Sequence, residues 1–248
     1  MDKRRIQQRF SRAFAHYDQQ ALAQQWIHQR LTALLPLMGR RDFQHILEIG
    51  CGTGGLTRQL MRHLSAQCWT LNDLCDIAPH LTQVLPQPFR FYAGDAERLP
   101  WSEQYDLIAG ASVVQWFADP AGFIARCQVR LKKRGFLLLS TFGAENLSEI
   151  KQLTGVGLNY PSPAQWRRWL SAGFELLSLE QENIVLHFDS PLAVLRHLKH
   201  TGVTATGRQA WTKGGLQHFC RQYQRQFASA HDQVRLTYAP VYLLARSA

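Results

Sequence analysis

The residue types and spacing of segment 46–55, Ile-Leu-Glu-Ile-Gly-Cys-Gly-Thr-Gly-Gly, indicate a chemical role more clearly than any other part of this chain. The segment combines an acid with closely spaced glycines. A short apolar run contains Glu48, and glycines follow it at positions 50, 52, 54 and 55. An apolar segment with helical spacing begins directly afterwards at Leu56. The pattern predicts a strand, a turn and a helix. Because the turn has almost no side chains, a ligand can lie against its backbone amides at a helix N-terminus.

Two kinds of nucleotide-like cofactor compete for this turn. Gly50, Gly52 and Gly55 satisfy the dinucleotide spacing G-x-G-x-x-G, and Asp73 stands where a ribose-binding acid is expected. Glu48 is not part of that fingerprint, and an anion so close to a pyrophosphate would be repelled. The same acid suits a cationic ligand such as S-adenosylmethionine, which carries a sulfonium and an ammonium and has no phosphate.

The pattern E-x-G-x-G-x-G resembles motif I of the class I S-adenosylmethionine-dependent methyltransferases. Asp73 ends a predicted second strand, Asp95 ends a third, and the pair Tyr105-Asp106 opens a fourth, as is common in that family. The resemblance implies that Asp73 binds the ribose hydroxyls, Asp95 the adenine amino group and the amide of Ala96 an adenine ring nitrogen. Each acid alone could be a turn former or a helix cap. Successive strand ends in an open α/β sheet, however, converge on one crevice.

The resemblance therefore implies a cofactor site built from the glycine turn and the following strand ends. Its predicted members are Glu48, Gly50, Cys51, Gly52, Gly54, Asn72, Asp73, Asp95, Ala96 and Ser112. No metal is expected, because the five cysteines form no Cys-x-x-Cys pair and are odd in number. They indicate reduced thiols that are mostly buried.

The hydrophobic pattern divides the chain into three zones. Residues 1–41 have apolar residues at steps of three to four, which predicts a helical N-terminal cap. Residues 42–189 and 234–248 alternate predicted strands and helices and form the predicted methyltransferase core. Residues 190–233 are predicted to be a helical insertion that, together with the cap, forms a lid that excludes water.

The expected fold is α/β and Rossmann-like, with a seven-stranded, mainly parallel sheet that ends in an antiparallel hairpin. The strand order and the antiparallel strand are implied by the resemblance. A turn over Leu131–Gly135 is expected before a fifth strand at Gly135–Phe142. The sixth strand is predicted from Phe174–Leu179 and Ile184–Phe188, and the last at Leu236–Ala245.

Several further blocks resemble one family more closely, the malonyl-acyl-carrier-protein O-methyltransferases of biotin synthesis. The resemblance spans nearly the whole chain, and its most discriminating parts are Gln115-Trp116 and Thr201-Gly202-Val203. Leu74–Ile77 departs from the pattern after the second strand. The matching blocks are Arg9–Asp18, Ser112–Phe117, Thr141–Gly143 with Asn146, Leu147 and Glu149, Leu198–Val203 and Leu236–Tyr238.

This resemblance implies methylation of the free carboxylate of a malonyl thioester. That carboxylate is ionised at pH 7, since carboxylic acids of this kind ordinarily have a pKa of about 4, so no general base is needed. Tyr17, Gln115 and Trp116 are predicted to position the substrate, although Tyr17 could equally be a core tyrosine. Arg196 and Lys199 lie one helical turn apart and are candidates for binding the substrate or its carrier, with a solvated face as the alternative.

The charge balance indicates an acidic partner. Lys and Arg number 28 against 18 Asp and Glu, a formal net charge of +10. Malonyl-acyl carrier protein or malonyl-coenzyme A fits this charge, and Arg167-Arg168 is a further docking candidate. A merely basic, solvated surface is the other interpretation of the charge. The alternatives among enzymes are a methyltransferase for another small molecule and one for nucleic acid, but the Asn/Asp-Pro-Pro-aromatic motif of amino-methylating enzymes is missing after the fourth strand.

Two further expectations concern activity and location. A catalytically silent cofactor-binding regulator is the alternative from another class, and the acids at all three strand ends argue against it. No run of 18 apolar residues and no apolar segment typical of a signal peptide occurs in the sequence, so a cytoplasmic enzyme without a membrane span is expected.

Overall fold

The computed structural model describes residues 2–101, 103–203 and 211–248, and it begins with two helices. Helix α1 spans Lys3–Gln20, and the Asp2 side chain caps it by accepting a hydrogen bond from the backbone N–H of Arg5. Helix α2 spans Leu22–Ala33. A short 3-10 helix at Leu35–Met38 follows and ends at Gly39, whose φ of 67° suits glycine.

In the described part of the chain, seven strands form the main sheet. They are β1 (Asp42–Ile49), β2 (Ser65–Asp73), β3 (Arg90–Ala93), β4 (Tyr105–Gly110), β5 (Leu131–Phe142), β6 (Phe174–Gln181) and β9 (Pro240–Ser247). Their order is β3-β2-β1-β4-β5-β9-β6. Strand β9 is antiparallel to both of its neighbours, and the other pairs are parallel. The α/β class and the seven-stranded, mainly parallel sheet are therefore confirmed.

The predicted strand boundaries differ from the structure at several places. Asp95, predicted to end the third strand, lies two residues beyond the end of β3 at Ala93. The expected turn over Leu131–Gly135 is the start of β5, where the register against β4 shifts and Arg134 has a φ of 62°. The expected last strand is two strands, because Pro240 starts β9 and the N–H of Ala239 bonds Asn146 Oδ1 at 3.2 Å instead of continuing a ladder. The first of the two, β8, is Val234–Tyr238.

A second, two-stranded sheet consists of β7 (Ile184–Phe188) paired with β8. Of the segments predicted as the sixth strand, Phe174–Leu179 therefore belongs to the main sheet as part of β6, and Ile184–Phe188 does not. Glu149 of α6 fixes the position of β8, because its buried carboxylate accepts hydrogen bonds from the N–H and hydroxyl of Thr237 at 3.1 and 2.6 Å.

Helices cover both faces of the main sheet, and two large hydrophobic cores lie between them and the sheet. A third, small cluster around Leu71 and Leu81 packs against Phe10 and Phe14 of α1. Besides α1 and α2, the described helices are α3 (Gly55–His63), α4 (Ala78–Val84), α5 (Pro120–Arg130), α6 (Ser148–Thr154), α7 (Pro163–Leu170), α8 (Pro191–His200) and α9 (Lys213–Phe227). Alternate residues of β5 and β9 point to opposite faces, so that Leu138 and Leu244 belong to one core and Leu137 and Leu243 to the other. The first core contains α2, α3, α8 and α9, and the second contains α5 and α7.

Substitution of Leu244 by Ala tests the importance of β9 for the first core. Leu244 is 0 % exposed, so the change should lower the free energy of unfolding by about 2–5 kcal/mol through lost burial and a cavity. Leu22→Ala is the matched control, because Leu22 is 56 % exposed and should change stability by less than about 0.5 kcal/mol. Urea denaturation measures both, and equal effects would contradict the packing described.

Candidate active site

A cleft lies at the carboxyl ends of the central strands. Its floor comes from the turn after β1 and the loops after β2, β3 and β4. Helix α1 lies over it, with Ile6, Phe10, Phe14 and Tyr17 lining the cleft. These four side chains recur at steps of three to four residues and so share one face of α1.

The glycine turn after β1 has a backbone that only glycine adopts without strain. Gly50, Gly52 and Gly54 have φ values of 62°, 51° and 80°. A Cβ on Gly50 would lie 2.5 Å from Val113 Cγ2, whereas one on Gly52 would meet nothing within 4 Å. Gly50 therefore permits close packing of the turn against the loop after β4, and Gly52 leaves bare backbone beside the cleft.

Asp73 connects this turn to the loop after β2. Its Oδ2 accepts a hydrogen bond from the N–H of Gly52, and its Oδ1 accepts one from the N–H of Cys75, both at 2.9 Å. Burial raises the pKa of Asp73, and the hydrogen bonds from Cys75 and Gly52 oppose that shift. One carboxylate thus organises two loops of the cleft.

Asp95 is held by Lys3 of α1. Lys3 Nζ lies 3.1 Å from Asp95 Oδ1 and 2.7 Å from Glu97 Oε2, and it also lies 4.8 Å from the centre of the Phe117 ring. Asp95 Oδ1 accepts a further bond from the N–H of Glu97 at 3.1 Å. Burial raises the pKa of Glu97, but hydrogen bonds from Lys3 and two backbone amides outweigh it, so that this pKa is lowered.

Glu48 lies on β1 beneath the glycine turn and is 1 % exposed. It does not line the cleft, and its Oε2 has no hydrogen-bond partner among the described residues. Burial raises the pKa of Glu48 to about 8, and the nearby charge of Asp73 adds to the shift. The acid is therefore largely protonated near neutral pH in this structure.

The loop after β4 supplies Ser112 and Trp116. Ser112 has a φ of 53°, and its N–H is held by the Ser140 carbonyl and hydroxyl oxygens at 3.1 and 3.0 Å. Its own Oγ is buried without a partner among the described residues. Trp116 packs edge-on against Phe10, with ring centres 5.7 Å apart. An unpaired hydroxyl thus stands beside an aromatic wall of the cleft.

Comparison with known proteins identifies the family. Residues 47–139 match the family described as "Methyltransferase domain". Malonyl-[acyl-carrier protein] O-methyltransferase from Haemophilus influenzae is 47 % identical over 247 residues, which cover 99 % of this chain and 95 % of that protein. The protein with the same description from Porphyromonas gingivalis is 44 % identical over 99 % of this chain and 96 % of its own length. This chain belongs to the malonyl-[acyl-carrier protein] O-methyltransferase family.

Solved structures agree with this methyltransferase on the fold. YcgJ from Bacillus subtilis superposes with a TM-score of 0.60 at 15 % identity, over 88 % of this chain and 98 % of that chain. The N-methyltransferase NodS from Bradyrhizobium japonicum, in complex with S-adenosyl-L-homocysteine, superposes with a TM-score of 0.53 at 16 % identity. That match covers 88 % of this chain and 86 % of NodS.

The methyltransferase brings many of the predicted site residues together in the cleft. Asn72 stabilises the shape of the cleft. Its side-chain amide donates to the carbonyl oxygens of Tyr92 and Gly94 at 2.8 and 2.9 Å and so holds the loop after β3. The predicted residues that line the cleft are Tyr17, Gly50, Gly52, Asn72, Asp73, Asp95, Ala96, Ser112 and Trp116.

Other predicted site residues lie outside the cleft lining. Cys51 is buried and its N–H bonds the Asn72 carbonyl at 3.0 Å, while Gly54 caps α3. Gln115 donates to the Ser112 carbonyl at 2.6 Å and so supports that loop from behind. Arg196 and Lys199 are exposed on α8. With Glu48, these residues do not line the cleft, and the functional roles inferred for all the site residues stay predictions.

Lys3, Phe10 and Phe14 were missed as site residues. The apolar stripe of α1 contains both Phe10 and Phe14, so placing Tyr17 at the site should also have placed these rings there. Lys3 has no comparable signal, because 92 positions separate it from Asp95 along the chain.

No group of His, Cys, Asp and Glu in the described ranges is arranged to hold a metal ion. Within the same residues, no helix has the length and apolar character needed to cross a membrane.

Replacing Glu48 by Gln should change the pH dependence of stability. The folded pKa of about 8 exceeds the ordinary value of 4.5, so the folded state binds more protons than the unfolded state between these values. The contribution of protonated Glu48 to the free energy of unfolding is complete below about pH 4.5 and is lost as the pH rises through about 8. Gln cannot ionise, so the variant should gain on the order of 4 kcal/mol relative to wild type between about pH 5 and pH 8.

Thermal and urea unfolding across that pH range measure the difference. Asp42→Asn is the control, because Asp42 lies on the same strand but is exposed. If the stabilities of Glu48→Gln and Asp42→Asn, each relative to wild type, depended on pH to the same extent, Glu48 would not be the buried titrating group.

Proposed function

We propose that this methyltransferase transfers a methyl group from S-adenosylmethionine to the free carboxylate of malonyl-acyl carrier protein, an early step of biotin synthesis. The product is the malonyl methyl ester. The observation that carries the proposal is the acid-lined cleft of this chain, considered with relatives of nearly equal length that bear that name. A cytoplasmic location accords with this substrate.

The residues of the cleft fit a cationic cofactor. Asp73 and Asp95 line it, and among the described lining residues Lys3 is the one cation, already paired with Asp95 and Glu97. A pyrophosphate would therefore meet carboxylates without a free positive charge, whereas a sulfonium and an ammonium would be attracted. The unpaired hydroxyl of Ser112 offers a further polar contact.

S-adenosylmethionine would supply an electrophilic methyl group when bound there. Asp73 would hold the ribose, and Asp95 with the amide of Ala96 would hold the adenine. Bare backbone at Gly50 and Gly52 would accommodate the amino-acid part, with Cys51, Gly54 and Asn72 maintaining the surrounding loops. Buried Glu48 would favour the cofactor's positive charge to the extent that it ionises.

Substrate positioning requires little acid–base chemistry from the protein. The malonyl carboxylate is already ionised at neutral pH. Burial, followed by the nearby charge of Asp18, raises the pKa of Tyr17, so its hydroxyl stays protonated and can donate a hydrogen bond. Such a contact orients a carboxylate more weakly than an Arg ion pair and leaves it nucleophilic.

Aromatic walls exclude water from this reaction. Phe10 and Trp116 pack edge-on, and both line the cleft with Tyr17. Holding two reactants in a dry, oriented pair can contribute about 7–11 kcal/mol to lowering the barrier. Gln115 acts indirectly in this proposal, by holding the Ser112 carbonyl.

Helix α1 is proposed to be a lid. Lys3 attaches it to the loop after β3, Gln7 Nε2 donates to the Leu74 carbonyl after β2, and Asp18 accepts from Thr53 Oγ1 of the glycine turn at 2.5 Å. In this division, residues 1–41 form the cap, 190–233 the insertion, and 42–189 with 234–248 the core.

Cofactor identity is tested by calorimetric titration. S-adenosylhomocysteine should bind and NAD should not. Asp73→Ala should weaken binding by about 1.5–3 kcal/mol per charged hydrogen bond lost, whereas the exposed neighbour Asp76→Ala should leave affinity unchanged. Thermal melts confirm that both variants are folded before titration. Tight NAD binding without S-adenosylhomocysteine binding would reverse the assignment.

Substrate identity is tested with labelled S-adenosylmethionine. We expect label to enter malonyl-acyl carrier protein. Malonyl-coenzyme A serves as a smaller methyl acceptor with the same carboxylate, and bulk RNA is the rival acceptor. The label should be released by ester hydrolysis. Transfer to RNA would favour a nucleic-acid methyltransferase, and binding without transfer to any acceptor would favour a silent regulator.

Tyr17→Phe tests the positioning role of the hydroxyl. Loss of one hydrogen bond to a charged carboxylate, worth about 1.5–3 kcal/mol, should lower kcat/KM by roughly 10- to 150-fold. S-adenosylhomocysteine affinity should change little, and Tyr92→Phe, an exposed tyrosine, is the control. Steady-state assays between about pH 6 and 9 should show no Tyr17 ionisation, given its raised pKa. A Tyr17→Phe enzyme with unchanged kcat/KM would make Tyr17 a packing residue only.

A further inference from the structure

The two flanks of α1 beside its cleft-lining face make different contacts. Gln7 bonds the Leu74 carbonyl, Ser11 Oγ lies 3.5 Å from Cys75 Sγ, and Asp18 bonds Thr53. This flank is therefore occupied by the loops of the core. The opposite flank carries Arg5, Arg9, Arg12 and His16 at steps of three to four residues.

The arginine flank of α1 faces α8. Helices α1 and α8 pack together, and the rings of His16 and His200 lie 5.4 Å apart. Beyond the end of α8, a Cβ on Gly202 would lie 3.0 Å from the Phe10 ring. We call the outer surface along this contact the basic seam. It consists of Arg5, Arg9, Arg12 and His16 of α1 with Arg196, Lys199 and His200 of α8.

Both helices of the seam have an excess of positive charge. Helix α1 contains five Lys and Arg residues and one acid, and α8 contains two and no acid. Arg12, Arg196 and Lys199 are exposed and form no ion pair with a described residue. By contrast, basic residues on strands of the main sheet are paired with acids: Lys132 with Asp106 at 3.0 Å and Arg90 with Glu103 at 2.7 Å.

The arrangement opposes the stability of α1. The pKa of Arg9 is lowered by burial and by the positive charges of Arg5 and Arg12, so the three guanidinium groups repel one another. An anionic partner would relieve this repulsion.

We propose that the basic seam docks the acidic carrier domain whose malonyl group enters the cleft. This inference rests on the proposed function and names the surface that its protein partner contacts. The same helix forms both sites, because Phe10 and Tyr17 line the cleft while Arg12 lies on the flank. Arg12 and Tyr17 are separated by about 7.5 Å along the helix axis, so a docked carrier is close to the cleft.

One docking candidate named in the sequence analysis, Arg167-Arg168, is not part of the basic seam. Arg167 and Arg168 lie on α7, whose Trp166 and Leu170 belong to the second core, on the opposite face of the sheet from α8. Both arginines are exposed and lie away from the seam in the topology, so Arg167→Glu/Arg168→Glu is the matched control for a seam variant with two charge reversals.

The experiment compares Arg12→Glu/Arg196→Glu, which reverses one charge on each helix of the seam, with Arg167→Glu/Arg168→Glu and wild type. Binding of malonyl-acyl carrier protein is measured directly and by kcat/KM at two or more salt concentrations. The seam variant should lose about tenfold or more in affinity and kcat/KM at low salt, and its salt dependence should flatten. Turnover at saturation and S-adenosylhomocysteine affinity should stay within about twofold, and malonyl-coenzyme A should be affected less.

Carrier binding that is equal in the seam variant, the Arg167→Glu/Arg168→Glu control and wild type would overturn the docking inference. A loss that is equal in the seam variant and this control would also overturn it, since only bulk charge would then matter. Failure of the proposed function looks different, because wild type would then bind the cofactor but methylate neither malonyl substrate. Direct binding of the carrier decides the docking question even in that case.

Discussion

The two hydrogen bonds accepted by the Asp73 carboxylate are the interactions on which the site depends. They connect the N–H groups of Gly52 and Cys75, and therefore two loops that belong to different strands. The glycine turn can approach the loop after β4 only because Gly50 has no Cβ to meet Val113. With these loops held, the cleft has a defined floor before any ligand arrives. The shape of the cleft is therefore set by the hydrogen bonds from backbone N–H groups to Asp73 and by the close approach of Gly50 to Val113.

Electrostatics gives this cleft its chemical preference. Carboxylates surround it at Asp73 and Asp95, and Glu48 lies buried just beneath. The ammonium of Lys3 balances part of this charge from a helix that is not part of the sheet. Negative charge inside the cleft and positive charge on the outer flank of α1 are thus separated by the width of one helix. A cationic cofactor and an acidic macromolecular partner suit these two surfaces respectively.

Helix α1 links the cofactor site to the rest of the fold. Its inner face carries the aromatic residues, one flank bonds the loops after β1 and β2, and the other flank packs on α8. Movement of α1 would therefore alter the cleft and the α8 contact together. His197 of α8 bonds Tyr238 of β8 at 2.9 Å, which joins α8 to the second sheet. Burial lowers the pKa of His197 to about 4, so this bond joins neutral partners at physiological pH.

The sequence by itself determined the fold class, the glycine turn and the acids at the strand ends. Those features are local: glycines with positive φ, short apolar runs and acids at strand ends have the same meaning wherever they occur. The sequence also carried the family resemblance that the relatives confirm. Tertiary structure alone decided that β7 leaves the main sheet, that Glu48 is buried below the cleft, and that Lys3 meets Asp95. These outcomes depend on contacts between segments far apart in the chain, which no local spacing encodes.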